Sequence, residues 1–568
     1  MTILTYSSPM WYEETGRCFQ VSADSRLAIY GPGQRTRVYD VGTGKPHTAA
    51  WPDSIDQVRG GAFQLNGDIA WLGVVGGNTG WYTDSGGRLT RLALPPTTLP
   101  RWGPKTSRLA YFTPGETTVA IGDPAAPVLV RLDGSVNGLT WTPDGDALYA
   151  IVLHPTGLSS LAKISPDGII TVVRTELDAS PYFNALSFSA DGGSLFLALA
   201  GDTAPNPTAR HDPEAPHRDL DIYAFDLRSG RLRVVVSTPG DDICPAVADD
   251  SLYWTHNDPK PDVVVFSLAG GEPRAVADHG FLPRWSPDGR QIAFTRAYYR
   301  LSDYGLDMDG WVVGVDADGK ITSPAKSWIA GFGEDMGAVW SPDGEWVAYH
   351  SHRSASPVPL YESPGRTDDM WLVRAGGGPE IRLTDFGYEA GPPDWAPDGR
   401  HLIFDSWDKN GVPRFGKPWI VTIDPASGRS VRAERMPLPV GVAGIAGEAW
   451  SPRAADIAFI ERMDDVRRAI WVSRPDGNNA RKLVEFRSYT IGGVAWTPDG
   501  AQLLYSALAP GDDRMQVFAV DSGGGTPRQL THGDVNLMHP SVSPNGRLVA
   551  ASRIPWNKEL RRASLRAQ

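Results

Sequence analysis

WSPDGRQIAFTR, from Trp285 to Arg296, is the stretch whose reading decides the fold. An aromatic residue closes one apolar strand, Ser-Pro-Asp-Gly turns the chain, and an alternating apolar strand leads away. Pro presets φ near about −65° at the second turn position, Asp can bond its own backbone, and Gly takes the positive-φ position that other residues avoid. The stretch therefore reads as a β-hairpin with its turn written into it.

The phrase returns as Trp340 to Ser351 (WSPDGEWVAYHS), Trp395 to Ser406 (WAPDGRHLIFDS) and Trp496 to Ala507 (WTPDGAQLLYSA). Looser copies run from Trp141 to Ile151, Phe188 to Leu199, Trp450 to Glu461 and Val542 to Arg553, with decayed ones near Val21, Phe63, Trp102 and Ala246. The successive intervals from Trp285 to Trp340, Trp340 to Trp395 and Trp395 to Trp450 are each 55 residues, room for four short strands. Second strand pairs with their own turns, such as Trp371 to Thr384 and Val517 to Thr531, fill the gaps. Four strands per unit, repeated about twelve times, predict all-β propeller blades.

A single ring of twelve blades exceeds the usual four to eight, so two tandem propellers are expected, about six blades each, with five plus seven as the alternative. The expected division is 1–278 and 279–568, the boundary falling within 240–280. Thr2 to Ser7 is a candidate closing strand, since the last hairpin has no obvious second pair after it. Closure removes exposed sheet edges. The 62 Gly, 48 Pro and 20 Trp in 568 residues suit short strands and tight turns.

The WSPDG-x-x-IAF phrase resembles the TolB-type, or PD40, propeller repeat, which also occurs in the propellers of tricorn protease and of dipeptidyl and oligopeptidyl peptidases. The resemblance covers nearly the whole chain. It implies the fold, and leaves open whether the propeller is a scaffold, a substrate filter or an active site. In the peptidases a hydrolase domain with a Gly-x-Ser-x-Gly elbow follows the propeller. No such motif occurs here, so serine peptidase activity is not expected of this chain.

The formal net charge is −12, and no long basic run interrupts it. Nucleic acid and anionic membrane are poor partners for that surface, while a cationic or neutral ligand suits it. There is no apolar run near 18 residues, and the N-terminus lacks a signal-type core. A soluble cytoplasmic protein is the expectation. Cys18 and Cys244, far apart and each in an apolar context, read as buried free thiols.

Long insertions at 201–219, 297–310, 352–369 and 406–417 map to the face opposite the WSPDG turns, where loops carry function. Loops entering the tryptophan strands add Asp241, Asp242, Glu334, Asp335, Asp385, Tyr388, Glu389, Asp534 and His539. With Tyr298 and Tyr299 they form an acidic, aromatic rim suited to an ammonium group, a sugar or a peptide. His350 and His352 stand two apart on a strand and share a face, as ligands of one divalent metal would. Oligogalacturonate lyases resemble this propeller too and carry such a His pair; a third ligand would come from His211, His217, Glu334 or Asp335. Trp11-Tyr12-Glu13-Glu14 resembles the segment by which dipeptidyl peptidase propellers grip an amino terminus.

Two functions follow as expectations. The first is a non-catalytic propeller, without cofactor, binding a peptide, protein or small ligand on its loop-rich channel face. The alternative is a propeller enzyme, lyase or hydrolase and possibly metal-dependent, using His350, His352, Glu334 and Asp335.

Overall fold

The computed structural model describes residues 2–7 and 19–565, apart from 23, 31–36, 46, 48–51, 53, 65–67, 77, 86–87, 105–107, 114–115, 155–157, 180–184, 201–219, 249, 258–260, 301–304, 331–334, 352–368, 386–388, 408–415, 465–466, 489–491, 511–513 and 555–556. The described residues form twelve antiparallel sheets and no α-helix. Ten sheets have four strands, the sheet of residues 20–40 has three, and that of 389–435 has five because its inner strand is split at Glu389–Ala390 and Asp394–Trp395.

The WSPDG turns form as the residues dictate. Ser286 Oγ donates to Asp288 at 2.6 Å, Asp288 accepts the Arg290 N–H at 3.0 Å, and Gly289 sits at φ 69°. The same three features recur at Ser341, Asp343 and Gly344, and at Thr497, Asp499 and Gly500. The aromatic before each turn does more than pack. Trp285 Nε1 donates to the Ser541 carbonyl, Trp395 Nε1 to Val339, Trp496 Nε1 to Ala449 and Trp141 Nε1 to Arg101, at 2.9–3.3 Å. Every acceptor lies in the inner strand of the preceding blade, one residue before that blade's own closing position. The repeated tryptophan is thus an inter-blade staple as well as core.

Each of twelve apolar clusters draws side chains from two neighbouring sheets, and followed in order they close two rings of six blades. In the first ring the circuit is completed where Phe19 and Tyr39 pack on Ala248, Tyr253 and Leu560. In the second it is completed by Val263 and Val265 against Trp285 and Trp311, and by Val264 and Phe266 against Leu504 and Val517.

Chain order and ring membership part company at the seam. Asp262–Ser267 and Arg274–Ala277, on the N-terminal side of a cut at 278, complete a second-ring blade with Asn536–Val542 and Leu548–Ile554. This is the second pair that the last hairpin lacked in sequence. The chain then returns as Asn557–Ser564 to the first ring, pairing with Ser251–Asn257 on one edge and with Thr2–Ser7 on the other. The N-terminal strand closes the first ring as expected, whereas the cut at 278 does not divide the rings.

The thiol expectation is corrected. Cys244, at φ 59° in a strand of the first ring's closing blade, is disulfide-bonded, and no free cysteine occurs among the described residues; Cys18 lies outside them. Sequence distance misled here, because ring closure brings the chain's beginning beside residues 241–257.

Candidate functional site

The inner strands of the second ring share a defect. Register shifts between Phe281 and Arg284, Met336 and Val339, Ala446 and Ala449, and Met538 and Ser541, just ahead of the closing residue of each blade. The bulged segments hold a residue in the left-handed region: Leu282, Gly337, Gly447 and His539. A β-bulge re-aims side chains out of the sheet's alternation. In this ring it delivers ionisable groups to the middle.

Arg284, Asp394 and His539 are half-buried; Glu448, Asp405 and His350 are 3%, 4% and 5% exposed. Arg284 and Asp394 each perturb the other's ionisation although a whole blade lies between theirs. Asp394 also accepts the backbone N–H of Trp450 at 2.7 Å. Glu448 feels both Asp405 and Asp394, and Asp405 feels His350. His539 feels Arg284 and hydrogen-bonds Ser552 Oγ through Nδ1 at 2.9 Å. The six groups make one electrostatic chain drawn from five blades.

Desolvation governs their charge. Burial pushes Asp394 up to about 6 against the pull of Arg284, and Asp405 up to about 7 against that of His350. Glu448 is raised well above the ordinary carboxylate range by burial, reinforced by Asp405 and Asp394. His539 is driven down to about 3 by burial and by Arg284, so its imidazole is neutral. Removing a carboxylate from water without a partner is costly, and the group keeps its proton instead.

Two details of packing fix this floor. Neither carboxyl oxygen of Glu448 has a hydrogen-bond partner among the described residues. Asp405 occupies room that only glycine leaves, since a Cβ on Gly391 would lie 2.1 Å from one of its oxygens and a Cβ on Gly416 2.2 Å from the other. Arg284 hydrogen-bonds only the adjacent Pro283 carbonyl, at 3.5 Å, among the described residues.

Of the sequence candidates, His350 joins this cluster and His539 lies beside it. Asp335 is buried but opposes Ser351 across its hairpin, while His350 opposes Met336, so Asp335 and His350 occupy opposite faces of the blade. Asp385 is held at the surface by Arg382 at 2.7 Å, in a network with Asp369. Asp534 is exposed, its carbonyl accepting from Arg514. Asp241 caps the Leu220 N–H, and Asp242 is fully engaged in the first ring. The side chains of Tyr298, Tyr299 and Glu389 lie outside the described residues, as do His352, Glu334, Tyr388, His211, His217 and residues 11–14. No group of three or more His, Cys, Asp or Glu among the described residues is placed to hold a metal ion.

Arg284, Asp394, Asp405 and Glu448 escaped the sequence reading. Three of them stand one or two residues ahead of a repeat tryptophan, in LPRW, PPDW and GEAW, where the other second-ring blades carry Ala, Val, Pro or Ser. A charge in that apolar slot was the available signal.

With geometry in hand, comparison places the chain among known proteins. No family model matches it. It is 26% identical over 152 residues to an uncharacterized protein of Agrobacterium fabrum, covering 26% of this chain and 44% of that one. It is 33% identical over 124 residues to a protein of Streptomyces coelicolor named as a tricorn protease homologue, covering 20% of this chain and 10% of that one. The chain thus spans less than half the length of these relatives. Among solved structures, one from Agrobacterium tumefaciens named as TolB aligns at 18% identity and TM-score 0.38, over 52% of this chain and 99% of the other. By its repeats and its rings, this is a TolB-like tandem propeller.

Proposed function

We propose that this TolB-like chain is a binding propeller whose ligand enters the axial channel of the second ring. The observation that carries the reading is the buried carboxyl of Glu448, without a hydrogen-bond partner among the described residues, in the ring that also holds half-buried Arg284 and Asp394. Stably folded interiors pair such groups, and sites that receive ligands leave a few of them open. The ligand is a peptide, a protein segment or a small molecule that presents a polar end to this channel.

A thermal-shift screen of peptides and small metabolites tests the proposal, run on the wild type beside Arg284→Gln and Glu448→Gln. Ligands that raise the wild-type melting temperature and fail to raise that of either variant support it. Ligands that act equally on all three place binding elsewhere and sink it.

For location, no helix among the described residues is long and apolar enough to cross a membrane. The disulfide at Cys244 favours an oxidising compartment over the cytoplasm expected from sequence. Alkylation of protein taken directly from cells, with and without reductant, tests this: a thiol labelled without reductant returns the protein to a reducing compartment.

A further inference from the structure

Resting on the second-ring site above, we propose that a carboxylate, the acid end of a small ligand or the C-terminus of a peptide, docks between Arg284 and the backbone N–H of Trp340. At three junctions the residue just ahead of a blade's closing position reaches the inner strand of the next blade. Asp394 Oδ2 accepts the N–H of Trp450 at 2.7 Å, and Ser541 Oγ accepts that of Trp285 at 3.4 Å. In the first ring, Arg101 Nε donates to the Leu139 carbonyl at 3.1 Å. Arg284 holds the same position in its own blade, and the next blade presents Trp340.

Trp340 keeps the register of its counterparts. It opposes Val347 as Trp285 opposes Ile292 and Trp450 opposes Ile457, and the following N–H, of Ser341, bonds the Trp346 carbonyl at 2.8 Å. Hydrogen bonding alternates along an antiparallel pair, so the Trp340 N–H points away from its hairpin partner, as those of Trp285 and Trp450 do. Those two meet an acceptor on the preceding blade. Trp340 meets an arginine there, which carries only donors. Among the described residues nothing accepts the Trp340 N–H, although the residue is buried, and a buried backbone donor is seldom left unpaired.

The guanidinium is served as poorly. Arg284 donates only to the adjacent Pro283 carbonyl, at 3.5 Å, and forms no ion pair among the described residues. Asp394, the carboxylate that acts on its charge, is already bonded to Trp450. Being half-buried, Arg284 keeps a face open to solvent. A carboxylate can accept two parallel N–H bonds from a guanidinium and has lone pairs left for a backbone N–H. At the Asp394–Trp450 junction the fold supplies that carboxylate itself; at the Arg284–Trp340 junction the ligand supplies it. The net charge of −12 is spread over the whole chain and is screened beyond about 8 Å at physiological ionic strength, so the local guanidinium sets the sign of the ligand.

Isotope labelling of the tryptophan backbone nitrogens in the full chain tests the inference, with the Trp340 amide resonance assigned by difference against Trp340→Phe. Sodium butyrate, n-butanol and N-acetyl-dialanine are titrated into wild type, Arg284→Gln and Arg284→Ser, and circular dichroism confirms the fold of each. The carboxylates are expected to move the Trp340 amide resonance and butanol to leave it, and both substitutions to weaken carboxylate binding by about tenfold or more. Arg284→Ser introduces the side chain that already serves this position in the last blade, which keeps the test available should Arg284→Gln fold poorly. N-acetyl-dialanine binding tenfold or more tighter than butyrate assigns the carboxylate to a peptide C-terminus, and comparable binding assigns it to a small acid. Carboxylates that leave the Trp340 amide unmoved, a butanol shift equal to that of butyrate, or carboxylate binding that survives both substitutions overturns the inference. The thermal-shift screen with Glu448→Gln then decides the wider site separately.

Discussion

The two rings use a buried carboxylate in opposite ways. In the first ring, one oxygen of Asp242 accepts from Trp254 Nε1 at 2.9 Å and bonds His256 Nδ1 at 2.8 Å, while the other accepts from the Thr238 backbone at 3.0 Å and from Thr238 Oγ1 at 2.7 Å. Arg561, on the strand that returns from the second ring, donates to the same hydroxyl. Asp242 thereby ties the seam of its ring together. In the second ring, Glu448 is as deeply buried and has no such partners among the described residues. A satisfied buried carboxylate holds a fold, whereas an unsatisfied one costs stability.

The arginines repeat the contrast. Leu99 to Trp102 and Leu282 to Trp285 both read LPRW at equivalent places in their blades. Arg101 spends its guanidinium on backbone, Nε donating to the Leu139 carbonyl at 3.1 Å and Nη1 to Pro100 at 2.9 Å. Among the described residues Arg284 hydrogen-bonds only Pro283, at 3.5 Å, and the Asp394 carboxylate acts on its charge. One tetrapeptide commits its arginine to backbone carbonyls in the first ring and, among the described residues, leaves it nearly without hydrogen bonds in the second.

The largest effect expected is on the scaffold that both rings share. Trp395→Ala removes a buried indole and its donor to Val339 and should cost about 3–5 kcal/mol in denaturant unfolding. A loss below about 1 kcal/mol would show that the staple is incidental. Next, Asp242→Ala strands the donors of Trp254, His256 and Thr238 and should cost about 3 kcal/mol, read on the first ring's unfolding. Glu448→Ala, by contrast, should cost no more than its lost packing, and the comparison breaks if the two substitutions are equally harmful.

Asp405→Asn sharpens the contrast through pH. Because its carboxyl is pushed up to about 7, Asp405 favours the fold fully below its ordinary value near 4 and loses that contribution as pH rises toward 7. The stability of wild type relative to Asp405→Asn should therefore fall by a few kcal/mol between pH 4 and pH 7. Taking the difference matters, since His539, driven down to about 3, makes the wild type lose stability as pH falls below about 6.5 and would mask the slope. A flat difference would mean that Asp405 titrates as an ordinary carboxylate. The smallest effect is at a turn: Ser286→Ala removes the bonds to Asp288 and from the Gln291 N–H and should cost about 1 kcal/mol.

The hairpins were legible in sequence because their determinants are local: Pro, Asp and Gly act within five residues of one another. The closing strand Thr2–Ser7 was legible as an unpaired apolar segment that a ring requires. The seam was not, because pairing Asp262–Ser267 with Leu548–Ile554 depends on which blades meet, and no local residue encodes that. The axial charges were missed for a related reason. Alternation places Glu448 against the neighbouring blade, and only the bulge between Ala446 and Ala449 turns it inward. His350 was legible as an unusual residue in its repeat, though its partner across the blades is Asp405 and not Asp335.

The central claim is that the second ring keeps a buried carboxyl, that of Glu448, which none of the described residues hydrogen-bonds. Infrared difference spectroscopy of wild type minus Glu448→Gln at pH 7 tests it most directly. The account predicts a protonated-carboxyl carbonyl band that belongs to the wild type and disappears in the variant. A difference spectrum showing only ionised carboxylate at that residue would contradict it, and would place a cation or a donor beside Glu448 already in the free protein.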